Sequence, residues 1–195
     1  MNRKVEQGEA TRAALVEAAR RLFGDRGFAA VGTTEIVRAA GVTRGALYHH
    51  FPAKEDLFEA VYEQVEAEIA TTLVRTAAEE STPLGRLRRG SLAFLELCLE
   101  PEVQRICLID GPAVLSWETW QEINARYTLR LTSAAIRQAI EAEQVGEQPV
   151  EPLAQLLLAA TSEAGLQVAR SDDPEAAMER YSTTLATLID SLERH

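Results

Sequence analysis

The sequence predicts an all-α protein of about nine helices, with a three-helix N-terminal head joined to a larger helical body. Three observations lead there. Apolar residues recur at spacings of three and four along most of the chain, with no alternating strand pattern, repeat or low-complexity tract. Two short helical stretches flank a Gly-Val-Thr turn at 41–43, the pattern of a helix-turn-helix. Charge is divided as well. Residues 1–54 hold nine Lys/Arg and five Asp/Glu, a net +4, whereas 55–195 hold eleven and twenty-five, a net −14.

Composition narrows the class. With 46% hydrophobic and 26% charged residues, 195 residues can bury a real core. The longest apolar run, "LLLAA" at 156–160, falls far short of the roughly 18 residues of a membrane span. The N-terminus "MNRKVEQGEA" has no apolar segment of a signal peptide, so a cytoplasmic protein without a membrane partner is expected. Cys98 and Cys107 are too few for a disulfide framework and read as small hydrophobes, with a thiol sensor as the alternative.

The elements follow in order. Leu15, Val16, Ala19, Leu22 and Phe23 form one face of a first helix, which "GDRGF" ends. Thr33 and Thr34 suit the N-cap of a short helix, "TEIVRAA", that Gly41 closes. Thr43 can cap the next, "RGALYHH". Pro52 stops it, and a connector helix runs from 54 to about 80 on the stripe Leu57, Phe58, Val61, Tyr62, Val65, Ile69 and Leu73. Further helices are expected from Leu84 to Cys98, briefly after "EPE" at 100–102, from Ser116 to Glu143 without interruption, and over 152–170 and 174–192. "DGP" at 110–112 reads as an irregular joint. The domain boundary is placed between 54 and 55.

The second short helix carries chemistry. A helix entering the major groove needs small or base-reading side chains at its leading end and phosphate-holding groups beside it. Thr43, Arg44, Gly45 and Ala46 form that leading edge. Arg44 can grip guanine O6 and N7, and Ala46 can touch a thymine methyl. Tyr48, His49 and His50 can donate to phosphate, and Lys54 adds a charge. Leu47 and Phe51 would face Leu22, Phe23, Ile36 and Val37. A metal site at His49 and His50 is disfavoured, because adjacent residues do not share a helix face and no third ligand is evident. No metal or cofactor is expected.

The stretch "TTEIVRAAGVTRGALYHHFPAKEDLFEAV" resembles the DNA-binding signature of the TetR family of bacterial transcriptional regulators. The threonine pair, Gly-Val, the Leu-Tyr-x-His-Phe core and the Lys-Glu-x-Leu start of the connector appear in order. "ALVEAARRLFGDRGF" matches that family's opening helix. The resemblance implies a homodimer with a ligand-binding body, a double-stranded DNA operator and a small-molecule effector. It implies a repressor rather than an enzyme. By motif match, Thr33 or Thr34, Tyr48, His50 and Lys54 would hold phosphate, and Thr43, Arg44 and Gly45 would approach bases. Glu35 stands where some members place a base-reading arginine.

In the body, helix 152–170 is apolar nearly all round, so more than one side should be buried. Leu153, Leu156, Leu157, Ala160 and Ala164, with Tyr181, Leu185, Leu188 and Leu192 of the last helix, are the candidate dimer interface. Trp117, Trp120, Tyr127 and Glu163 are the candidate effector-pocket residues. Alternatives to a DNA-binding regulator are a helical enzyme with a small-molecule pocket or a helical protein-interaction module. No G-x-S-x-G, H-E-x-x-H, Walker or dinucleotide motif supports the enzyme.

Overall fold

The computed structural model describes residues 3–194. It is helical throughout, and an isolated bridge between Val145 and Glu193 is the sole β-type pairing among the described residues. The helices are α1 (Arg3–Arg26), α2 (Thr33–Ala40), α3 (Arg44–His50), α4 (Lys54–Ala77) and α5 (Pro83–Leu97). Next come α6 (Pro101–Val103), a π-helical segment Gln104–Asp110, and α7 (Gly111–Val114). The chain ends with α8 (Trp117–Arg126), α9 (Thr128–Glu141), α10 (Val150–Ala169) and α11 (Pro174–Asp190).

The chain packs as two compact units. One gathers the residues up to Val65 with Pro101–Trp120, and the other gathers Glu66–Glu100 with the residues from Gln121 onward. The first unit is therefore larger than the head expected from sequence, because a segment beyond residue 100 belongs to it. Its core is α1 against α2, α3 and the first turns of α4. Leu15, Ala19, Phe23, Ile36, Leu47, Phe51, Leu57, Phe58 and Val61 are all buried. Phe23, Phe28 and Phe58 pack edge-on and tilted, with ring centroids 5.3–5.5 Å apart.

Local chemistry explains most helix ends in this unit. Gly41 follows α2 in the left-handed region at φ 67°, and its N–H donates to Arg38 O. The next N–H, of Val42, reaches back to Val37 O at 3.1 Å, a Schellman-type stop. A Cβ at Gly41 would meet nothing within 4 Å, so glycine is required here for its backbone angle and not for space. Thr43 then caps α3, its hydroxyl oxygen accepting the Ala46 N–H at 3.2 Å.

The second unit is built on α5, α9, α10 and α11. Leu84, Leu87, Leu95, Leu129, Ile136, Ala139, Leu157, Leu185 and Ile189 form its core. Thr82 caps α5 by accepting the Gly85 N–H, and Asp173 caps α11 by accepting the Ala176 N–H. Both cysteines are buried. Burial, reinforced by the nearby Glu66 carboxylate, pushes the Cys98 thiol up to about 12, so it stays protonated at neutral pH.

Three local expectations are corrected. The helix expected over Ser116–Glu143 is two helices, divided at Tyr127 with φ −114° and ψ −95°. No proline or glycine marks the break. The Thr128 hydroxyl instead donates to the buried Glu66 carboxylate at 3.2 Å, a tertiary partner that local spacing does not reveal. "DGP" at 110–112 is helical, since the π-helical segment continues into α7. Thr33 and Thr34 do not cap α2. Gly32 takes that position without a side-chain bond, and both threonines stand in the first turn.

In the second unit Gly165 of α10 lies close against Cys98, the residue that ends α5. A Cβ on residue 165 would overlap the Cβ of Cys98. Gly165→Ala should therefore destabilise the protein by about 1–3 kcal/mol in urea denaturation, the range for overpacking a core. Adding Cys98→Ala should restore little of the loss, because the closest overlap is with Cβ, which alanine keeps, and the sulfur is the lesser contact.

Candidate nucleic-acid interface and body cavity

The short helix α3 is two-sided. Leu47, 2% exposed, and the following Phe51 are buried in the head. Arg44, Gly45, Tyr48 and His49 face outward, with Tyr48 at 41% exposure, and Ala46 and His50 are half-buried. Spacings of one, three and four put the outward residues on one face. The Arg44 guanidinium lies over the Tyr48 ring, 5.5 Å from its centroid. The Tyr48 hydroxyl comes to 3.5 Å from the Thr33 hydroxyl, bridging α3 to the first turn of α2. Thr33 and then Arg44 hold the Tyr48 phenol below its ordinary pKa. Thr34 is exposed beside them. The His49 and His50 rings meet edge to face at 5.3 Å, and Arg12 sits over Phe51 at 5.1 Å.

Glu35 is neutralised in place. Arg26 donates to both its carboxylate oxygens, at 2.6 and 2.9 Å, and also to Ala30 O at 3.0 Å. The Arg26 bond holds the Glu35 carboxyl below its usual range, and the same bond raises Arg26. Glu35 is the only acidic residue between 27 and 54.

The structure does not place Lys54 with the outward group. Its ammonium donates to Phe28 O at 2.9 Å and Val31 O at 3.1 Å, and lies 3.8 Å from the centre of the Phe28 ring. Asp110 completes the arrangement by accepting the Phe28 N–H at 2.7 Å. Nearby, Arg20 forks onto Glu102 at 2.8 and 2.7 Å. The loop leading into α2 is thus held from residues 54 and 110. Sequence reasoning missed this clamp, since Phe28 and Asp110 are 82 positions apart and no local pattern pairs them.

The second unit contains a cavity of about 370 Å³. The end of α4 lines it with Leu73, Val74 and Ala77, and α5 adds Leu87, Ser91 and Phe94. Leu131, Thr132 and Gln138 of α9 and Leu158 and Thr161 of α10 complete the walls. None of the four residues nominated from sequence lines it. Trp117 is 67% exposed and stacks on Trp120 at 5.4 Å in the first unit. Tyr127 stands at the break between α8 and α9, and exposed Glu163 accepts a bond from Gln167 at 2.7 Å. Aromatic residues near charges drew the sequence reading, but the walls are mostly aliphatic. Among the described residues no cluster of metal-ligating side chains occurs, and no helix is long and apolar enough to cross a membrane.

Two family profiles match this architecture. Residues 15–61 match the bacterial regulatory proteins of the tetR family, and residues 84–192 match the tetracyclin repressor-like C-terminal domain. The chain belongs to the TetR family. A solved TetR-family transcriptional regulator from Pectobacterium atrosepticum superposes with a TM-score of 0.81 at 32% identity, over 100% of this chain and 99% of that one. The HTH-type transcriptional regulator AcrR of Shigella flexneri is 36% identical over 110 residues, 55% of this chain and 51% of AcrR. The Transposon Tn10 TetC protein of Escherichia coli is 26% identical over 156 residues, 80% of this chain and 79% of TetC. The chain spans about half the length of the first curated relatives it matches.

In this TetR-family chain the nominated dimer residues divide. Leu156, 69% exposed, Ala160 and Leu188, 47% exposed, lie on the surface of α10 and α11. Leu153, Tyr181 and Leu192 are half-buried, so they can contribute an edge. Leu157, Ala164 and Leu185 are buried within the chain's own core and are not available to a partner.

The clamp on Phe28 gives a direct test. Asp110→Ala leaves a partly buried N–H without its charged acceptor, and should cost about 1–3 kcal/mol in denaturant unfolding. Amide exchange at Phe28 should rise more than at Leu47, whose bond to Thr43 O is internal to the turn. Equal protection of Phe28 in both proteins would remove Asp110 from this role.

Proposed function

We propose that the protein is a homodimeric repressor that reads a palindromic DNA operator with α3 and releases it when a small molecule fills the body cavity. The observation that carries this reading is the outward face of α3. Arg44 is braced on Tyr48, Tyr48 leans on Thr33, and buried Leu47 and Phe51 fix the helix that presents them. Thr43, Arg44, Gly45 and Ala46 approach bases. Tyr48, His49, His50, Thr33 and Thr34 meet phosphate. The uncapped first turn of α2 adds backbone N–H groups suited to an anion. Lys54 acts indirectly, positioning the loop ahead of α2. The +4 head draws DNA, and the −14 remainder disfavours any other docking face. Such a regulator works in the cytoplasm, where its operator lies, and needs no cofactor.

Leu156, Ala160 and Leu188 form the centre of the dimer contact, since a large exposed leucine pair on two adjacent helices is what a second copy covers. Coupling runs along α4. This helix starts with Lys54 on the loop before α2 and ends with Leu73, Val74 and Ala77 on the cavity wall. Ligand that favours one placement of α4 shifts the heads toward a spacing unsuited to DNA, with a typical coupling of about 1–3 kcal/mol.

Selection of bound sequences from a random DNA pool tests the reading. A palindrome with half-sites about one helical turn or more apart is expected. In Arg44→Ala one position per half-site should relax, with other positions unchanged. If each head neutralises about four phosphates, log affinity against log salt should have a slope near −7. A slope near zero would exclude DNA binding, and an unrelaxed palindrome would exclude Arg44 as a base reader. Leu156→Glu with Leu188→Glu should give a monomer by sedimentation and lose operator binding.

A further inference from the structure

The cavity has a one-sided polar lining. Three hydroxyl residues contribute to it, and each spends its hydrogen on its own helix. Ser91 donates to Leu87 O at 2.9 Å, Thr132 to Thr128 O at 3.0 Å, and Thr161 to Leu157 O at 2.7 Å. What these three offer a ligand is oxygen lone pairs. No aspartate or glutamate lines the cavity, and its one formal charge is Arg86. That guanidinium is tied down, its Nε donating to Glu80 O at 2.9 Å and its Nη2 to Ser81 O at 3.4 Å. Gln138 supplies the other amide group, and the remaining surface is leucine, valine, alanine and Phe94.

These groups select by charge. A cation entering here meets a like charge and no carboxylate. A carboxylate meets one positive group, Arg86, two of whose five N–H donors are spent on carbonyls, and must give up its water beside three hydroxyls that present acceptor oxygens. A neutral O–H or N–H finds acceptors directly. The volume sits at the small end of ligand cavities, which run from about 300 to 1,000 Å³. We infer that the effector is a small, neutral, mostly apolar molecule bearing a hydrogen-bond donor, with an alkylated phenol as the simplest fit. The assignment rests on the reading of this cavity as the effector site.

Four compounds that share one hydrocarbon body separate the possibilities: para-propylphenol, para-propylanisole, para-propylbenzoate and (para-propylphenyl)trimethylammonium. Each is titrated calorimetrically into the full-length protein and into Ala135→Trp and Gln138→Trp, which place an indole in the cavity from its wall. Gln138 is largely exposed, so that variant should fold even if the other does not. Circular dichroism checks both. The phenol should bind roughly tenfold or more tightly than the anisole, the margin expected when a site hydrogen-bonds a hydroxyl. The two ions should bind more weakly still, and the folded tryptophan variants should lose the phenol. If the anisole or either ion matches the phenol in the parent, and tryptophan blocks all of them, the donor-bearing class is wrong while the cavity stands. If no compound binds, or binding persists in a folded tryptophan variant, the cavity is not the effector site and the proposal fails with it.

Discussion

One peptide group organises the first unit. The N–H of Phe28 goes to the Asp110 carboxylate and its carbonyl to the Lys54 ammonium, while its ring packs between Phe23 and Phe58. Charges that are half-buried must be satisfied, and here each is satisfied by the backbone of the same residue. The loop from Phe28 to Gly32 delivers the chain into α2, so the start of α2 is set by residues from α4 and from the π-helical segment. The Arg20–Glu102 fork ties α6, which leads into that segment, to α1. A head that sequence confines to the first 54 residues is in fact completed by residues after 100.

On this base the presentation of α3 is a problem of local chemistry. The Thr43 cap fixes where the helix begins, and Leu47 and Phe51 fix how it is rotated. With those set, Arg44 and Tyr48 are left on the outer face and stack on one another, which restricts the Arg44 side chain. Glu35 would oppose this positive surface, but Arg26 neutralises it through two bonds. The local field is thereby kept positive in a protein whose overall charge is −10.

The second unit uses a different economy. Its cavity walls come from four helices, its hydroxyl groups are internally bonded and its surface is mostly apolar, with Arg86 the one charged side chain in the lining. The last turns of α4 form one wall.

The fold class, both helices of the helix-turn-helix and the division of core from outer face in α3 were legible in the sequence. Each rests on neighbours within about one or two turns: Thr43 with Ala46, Gly41 with Arg38, Leu47 with Phe51. The cavity was not legible, since the aromatic cluster at Trp117 and Trp120 suggested a pocket that aliphatic side chains from four separate helices actually form. The break at Tyr127 was hidden because its partner, Glu66, is 62 residues away from Thr128. Three of the nine residues nominated on α10 and α11 proved to be core, because periodicity marks a buried face without saying whether the same chain or another buries it. The sequence by itself thus determined the all-α class, the turn and Thr43 cap that set α3, and the side chains α3 displays, all of which depend on short-range geometry. Tertiary structure alone decided where Lys54 points, which segment completes the head and which side chains enclose the cavity, because those depend on contacts between residues that local pattern does not connect.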